Sequence, residues 1–145
     1  MQITYIGHSG FFVRTQEMCY LFDYEKGQLP QPEPGERILM LASHAHPDHY
    51  NPDTPAALRA LGWEVPLAVL GRDIRARKYP PQTEVLSVRA DQTYELPGGA
   101  QLRTLRSTDS GVAFLLQSAE GTVYHAGDLN DWTWDGEPEQ ENRQM

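Results

Sequence analysis

The sequence predicts an α/β chain, a mixed α+β domain, on three observations. Short β-branched and aromatic stretches recur from residue 2 to residue 125, separated by turns that carry glycine, proline or aspartate. A nearly continuous apolar run at residues 37–42 reads as a strand buried on both faces, and a helix-forming segment follows at residues 53–61. Between the two lies Ser43-His44-Ala45-His46-Pro47-Asp48-His49-Tyr50, which sets three of the five histidines and a carboxylate within six consecutive positions.

Taken in order, residues 2–6 predict a first strand, ended by Gly7-His8-Ser9-Gly10. Residues 11–14 predict a second, and residues 18–22 a third that stops at Asp23. Residues 25–36 hold three prolines and two glycines and predict an irregular loop, either a cover for a site or a plain linker. After the apolar strand and the histidine stretch, Asp53 or Thr54 caps a helix with Pro55 in its first turn, and Gly62 ends it. Residues 65–70 predict a strand, residues 73–78 a short helix stopped by Pro80-Pro81, and residues 84–88 another strand. Residues 94–96, 101–106, 112–117 and 122–125 complete the strands. Residues 131–145 carry five carboxylates and read as an acidic C-terminal tail, its last ten residues frayed, so residues 1–130 form the expected domain.

At 145 residues the chain suits one domain with a real core. Hydrophobic content of 39% and charged content of 22% fit a globular chain. The apolar runs fall well short of the ~20 residues of a membrane-spanning helix, and the N-terminus begins directly in a strand, so a cytoplasmic protein is expected. Cys19 is the sole cysteine, which excludes an internal disulfide and suits a reducing compartment; it reads as a small core residue. A net charge of −8 argues against a nucleic-acid partner. Arg72, Arg75, Arg77 and Lys78 concentrate positive charge locally and read as a solvated helix face.

The histidine stretch carries the chemistry. Imidazole and carboxylate are ligands for zinc and similar divalent ions. In extended backbone, residues two apart share a side, so His44 and His46 reach one metal together. Pro47 then forces a turn, and Asp48 and His49 arrive from a new direction suited to a second metal. The stretch leaves the carboxyl end of a buried strand and precedes a helix, where open α/β folds place their sites.

His44-Ala45-His46-Pro47-Asp48-His49 resembles the H-x-H-x-D-H signature of the metallo-β-lactamase-fold hydrolases. The opening Ile3-Thr4-Tyr5-Ile6-Gly7-His8-Ser9-Gly10-Phe11 is similar to the start of many metallo-β-lactamase-like proteins with a G-H-S-G turn. The resemblance implies an αββα sandwich, of which this chain matches the N-terminal half and the start of the second. It implies that Asp23 supports the metal loop by hydrogen bonding, the alternative being a plain turn residue. Asp128, in Gly127-Asp128, is then a ligand that bridges two metals rather than only a turn. His8 is either a substrate contact or a turn histidine. His125 lies near the site or is packed and hydrogen-bonded in the core.

Two departures accompany the resemblance. The turn where the family supplies a third histidine is Arg106-Ser107-Thr108-Asp109-Ser110-Gly111 here; Ser107 or Asp109 stands in its place, and Asp109 could replace it as an oxygen ligand, a change that would admit manganese or iron beside zinc. The family's last histidine has no counterpart after His125. The expected function is therefore a metal-dependent hydrolase using a metal-activated water on an ester, lactone, thioester or phosphodiester, with Asp48 orienting the attacking hydroxide. The alternative is a metal-binding but catalytically incomplete half-domain that works through self-assembly or a partner. The expected partners are a small-molecule substrate and a second copy that completes the fold.

Overall fold

A computed structural model of the chain describes residues 1–7, 10–45, 49–107 and 111–125, together with the backbone of residues 132–134. His8, His46, Asp48, Asp109, Asp128 and the end of the acidic tail lie outside the described residues.

Strands β1 (Gln2–Gly7), β2 (Gly10–Arg14), β3 (Cys19–Phe22), β4 (Arg37–Ala42), β5 (Glu64–Gly71) and β6 (Val85–Val88) lie in that order in one sheet. The pairs β1–β2 and β2–β3 are antiparallel, whereas β3–β4, β4–β5 and β5–β6 are parallel. A second, antiparallel sheet runs β11 (Trp132–Trp134), β10 (Gly121–His125), β9 (Val112–Ser118), β8 (Gln101–Arg106), β7 (Thr93–Glu95). The β10–β11 ladder pairs His125 with Trp132 and Val123 with Trp134, so this sheet continues past residue 130.

The apolar pattern of each strand follows from what covers it. In β4, Leu39 and Leu41 face the core between the sheets, while Ile38, Met40 and Ala42 face the opposite side. Both faces are covered, which is why the strand reads as an unbroken apolar run. The inter-sheet core joins Tyr20, Phe22, Leu39, Leu41 and Val69 to Leu102, Val112, Phe114, Leu116 and Val123. On the other face of the first sheet, helix α1 (Thr54–Ala60) seats Leu58 against Phe12, Leu21, Ile38, Trp63 and Val65. Each such fully buried side chain contributes about 1.5–3 kcal/mol of hydrophobic stabilisation. The described residues thus form three layers: helix and loops, the mixed sheet, and the antiparallel sheet.

The proline-rich loop of residues 24–36 is the crossover between parallel strands β3 and β4, and it also covers the helix side. The Trp63 indole N–H donates to the Pro30 carbonyl at 2.8 Å, and Arg14 reaches the Gln31 carbonyl at 2.9 Å. Arg14 also grips Glu36 through Nε and Nη2, the closest contacts being 2.9 Å. The short helix expected at residues 73–78 is a correction: only Ala76–Lys78 wind, as a single 3-10 turn, because Arg75 is extended and the Asp73 carboxylate is turned to another partner. Among the described residues, no helix is long and apolar enough to cross a membrane.

Candidate metal centre

β3 and β4 end side by side, and the chain does something different at each end. The Asp23 N–H still donates to Leu41 O at 2.7 Å, extending the ladder by one bond. Its backbone then turns into the left-handed region at φ 48°, which aspartate tolerates better than most residues. The side chain is fully buried. Oδ1 accepts the Ser43 N–H at 2.6 Å, and Oδ2 accepts the Ser43 hydroxyl at 2.6 Å. Oδ2 also lies 3.1 Å from His49 Nδ1 and 2.9 Å from His125 Nε2. One carboxylate therefore joins the end of β4, the start of the helical side and the end of β10.

Burial alone would raise the carboxyl pKa of Asp23. The His125 imidazole beside it, and His49 after that, outweigh burial and hold it well below the usual carboxylate range. The ionised group can only accept hydrogen bonds, and donor counting then assigns the tautomers around it. Ser43 Oγ has one proton and gives it to Asp23, so at its 2.8 Å contact with His44 Nδ1 it accepts. His44 thus carries its proton on Nδ1, and Nε2 is the nitrogen with a lone pair that could face a metal. His49 likewise gives Nδ1–H to Asp23, so its lone pair is on Nε2. The two rings lie 4.9 Å apart between centroids, tilted by 40°. Imidazoles whose other nitrogen is held by a hydroxyl or carboxylate are the usual form of histidine metal ligands, so the donor chemistry fits a divalent ion.

Steric constraint places the His44 end of the stretch. Ser43 O accepts the Val112 N–H at 3.1 Å, a bond that ties the first sheet to the start of β9. A Cβ on Gly71 would sit 2.5 Å from that same carbonyl oxygen, and one on Gly111 would sit 2.2 Å from it and 2.6 Å from His44 Cδ2. The peptide after Ser43 is therefore clamped between two glycines, one from each sheet. Asp73 adds a further hold, accepting the Ala45 N–H at 3.1 Å.

His125 is buried beside Phe22 and Phe11, with ring centroids 5.3 and 5.8 Å away. The described residues thus bring together Asp23, Ser43, His44, His49 and His125. Among the described residues, no group of three or more histidine, cysteine or acidic side chains is by itself arranged to hold a metal ion. Ser43, Gly71, Asp73 and Gly111 escaped the sequence reading. Glycine at the end of each flanking strand was the available signal for two of them; the role of Asp73 depends on a contact 28 residues away and left none.

Comparison with known proteins places this arrangement. Residues 2–143 match the family described as the Beta-lactamase superfamily domain. Two UPF0173 metal-dependent hydrolases, from Pyrobaculum calidifontis and Pyrobaculum neutrophilum, are 29% and 30% identical over 88% of this chain. The chain spans 61% of the length of each of these relatives. Among solved structures, CmlA, a diiron beta-hydroxylase from Streptomyces venezuelae, superposes with a TM-score of 0.66 at 21% identity, over 87% of this chain and 29% of that one. Igni18, a metallo hydrolase from Ignicoccus hospitalis, superposes with a TM-score of 0.62 at 18% identity, over 87% of this chain and 60% of its own. These two likenesses establish the fold: the metallo-β-lactamase-like α/β sandwich.

Proposed function

This chain belongs to the beta-lactamase superfamily, and from that premise we propose that it is a metal-dependent hydrolase whose centre is assembled on Asp23. The observation that carries the reading is the four-bond saturation of the Asp23 carboxylate by Ser43, His49 and His125. That network leaves His44 and His49 as Nε2 donors at the carboxyl end of β4.

His44 and His46 would hold one divalent ion, Asp48 and His49 would hold a second, Asp128 would serve both, and Asp109 would be a substitute oxygen ligand. An imidazole-rich set favours zinc; the added carboxylates extend the range to manganese or iron. A divalent ion bound there supplies Lewis acidity and a water acidic enough to attack near neutral pH. The chain's own residues supply the rest. Asp23 keeps His49 oriented through Nδ1, Ser43 fixes the His44 tautomer, and His125 closes the network from the second sheet. Asp48 orients the attacking water toward an ester, thioester, lactone or phosphodiester.

The test combines elemental analysis of the purified chain with turnover of p-nitrophenyl butyrate and bis-p-nitrophenyl phosphate. Bound metal, and turnover of either compound that disappears in His46→Ala, is the expected result. A chain that holds metal but turns over neither compound would overturn the hydrolase reading in favour of a metal-binding half-domain.

A further inference from the structure

The segment after β5, residues 71–79, carries Arg72, Arg75, Arg77 and Lys78 against one carboxylate, Asp73. All four cationic residues are exposed. Asp73 Oδ2 accepts the Ala45 N–H, and the four cations outnumber this one carboxylate. Among the described residues, none of the four cations forms an ion pair with a carboxylate.

What distinguishes this segment from a solvated surface is how it is fastened. It is tied to both ends of the histidine stretch. Asp73 holds Ala45 at one end, and the Tyr50 hydroxyl donates to the Lys78 carbonyl at the other. Ile74 and Tyr50 share one buried cluster, with Ala45 and Tyr79 packed against it. Gly71, which opens the segment, lies against Ser43 O. The four cations are thus carried on backbone anchored directly to the metal loop, on a chain whose net charge is −8. An acidic protein repels anions at long range, so a local reversal of sign beside the site acts on the ligand that enters there.

We propose that residues 72–78 form a cationic collar on the active site, and that the substrate carries an anionic group, phosphate or carboxylate, remote from the bond that is cleaved. The inference rests on the hydrolase reading for the word substrate, and on the collar alone for anion binding. Arginine guanidinium pairs with either anion through two parallel hydrogen bonds, and three of the four cations are arginines. The strongly acidic remainder of the chain favours a small anion over a nucleic acid, which would have to lie along a surface of its own sign.

The test uses a variant combining Arg72→Gln, Arg75→Gln, Arg77→Gln and Lys78→Gln, all surface changes, with folding checked by thermal denaturation. Calorimetric titration with inorganic pyrophosphate and with succinate should give binding that weakens by roughly tenfold or more in the variant and with added salt. Whichever anion loses more identifies the preferred group. Kinetics on a matched pair, p-nitrophenyl butyrate and mono-p-nitrophenyl succinate, should show kcat/KM falling for the charged ester only. If the wild-type chain cleaves neither ester, the hydrolase reading fails while loss of pyrophosphate binding still supports the collar. Unchanged binding of both anions in the variant, or equal loss on both esters, overturns it. A single-stranded oligonucleotide that binds the wild-type chain more tightly than pyrophosphate does would reassign the collar to nucleic acid and equally overturn the small-anion proposal.

Discussion

The two sheets solve different problems with the same residue types. In the first sheet the parallel strands β4 and β5 are sandwiched, so consecutive residues alternate between two cores: Leu39 and Leu41 to one, Met40 and Ala42 to the other. In the second sheet only alternate residues reach the shared core. Phe114 and Leu116 are buried there, while Leu115 between them is half-exposed. The first sheet also supplies the site's main chain, since β3 and β4 end together and release Asp23 and Ser43 side by side. Among the described residues, the second contributes His125, the glycine at 111 and the Val112 N–H that holds Ser43 O. A strand covered on both faces can position a loop accurately; a strand covered on one face can lend it a contact.

Truncation of core side chains should break this comparison if it is wrong. Leu39→Ala and Met40→Ala, neighbours in β4, are each expected to cost about 2–5 kcal/mol. Phe114→Ala should cost about 3–5 kcal/mol, whereas Leu115→Ala should stay within ~1 kcal/mol of wild type. Urea denaturation midpoints measure all four. Equal losses at Phe114 and Leu115 would mean that the second sheet is also covered on both faces.

The two glycines sharpen the comparison, because one comes from each sheet and both approach the same carbonyl. Gly71→Ala and Gly111→Ala should each destabilise the chain by about 1–3 kcal/mol through overpacking, and each should lower the metal content of the purified protein. If only one of the two does so, Ser43 is held from one side only.

A smaller effect lies in the first sheet's helix-side core. Burial, with Glu36 adding to it, pushes the Cys19 thiol up to about 12 from its ordinary 9.0. Cys19 therefore contributes stability that is fully present below pH 9 and is lost as pH rises toward about 12. At pH 8 a thiol-reactive dye should leave the native protein unmodified and label one cysteine after denaturation. Rapid labelling of the native chain would mean that the helix-side core around Cys19 opens.

How much of this could be read from the chain depends on whether the cause is local. The apolar run of residues 37–42 and the strand of residues 101–106 have the observed bounds, because burial and turn chemistry there act within a few positions. Residues 73–78 mislead, since their helix-forming composition is overridden by an extended Arg75 and by the bond from Asp73 to Ala45. The histidine stretch stands out in the sequence because histidines are few and crowded there. That Asp23 and His125, 102 residues apart, would meet on one oxygen is set by strand order, which no local pattern encodes. The clamp on Ser43 has the same origin.

If the buried Asp23 carboxylate orients metal-binding histidines from both sheets, zinc titration calorimetry of the wild-type chain beside Asp23→Asn will show it. The substitution keeps the size of the side chain but replaces an acceptor oxygen by a donor, so His49, His125 and Ser43 can no longer all be satisfied. Zinc affinity should fall by roughly 10–100-fold in a chain that still unfolds cooperatively. Unchanged affinity in the folded variant would contradict it.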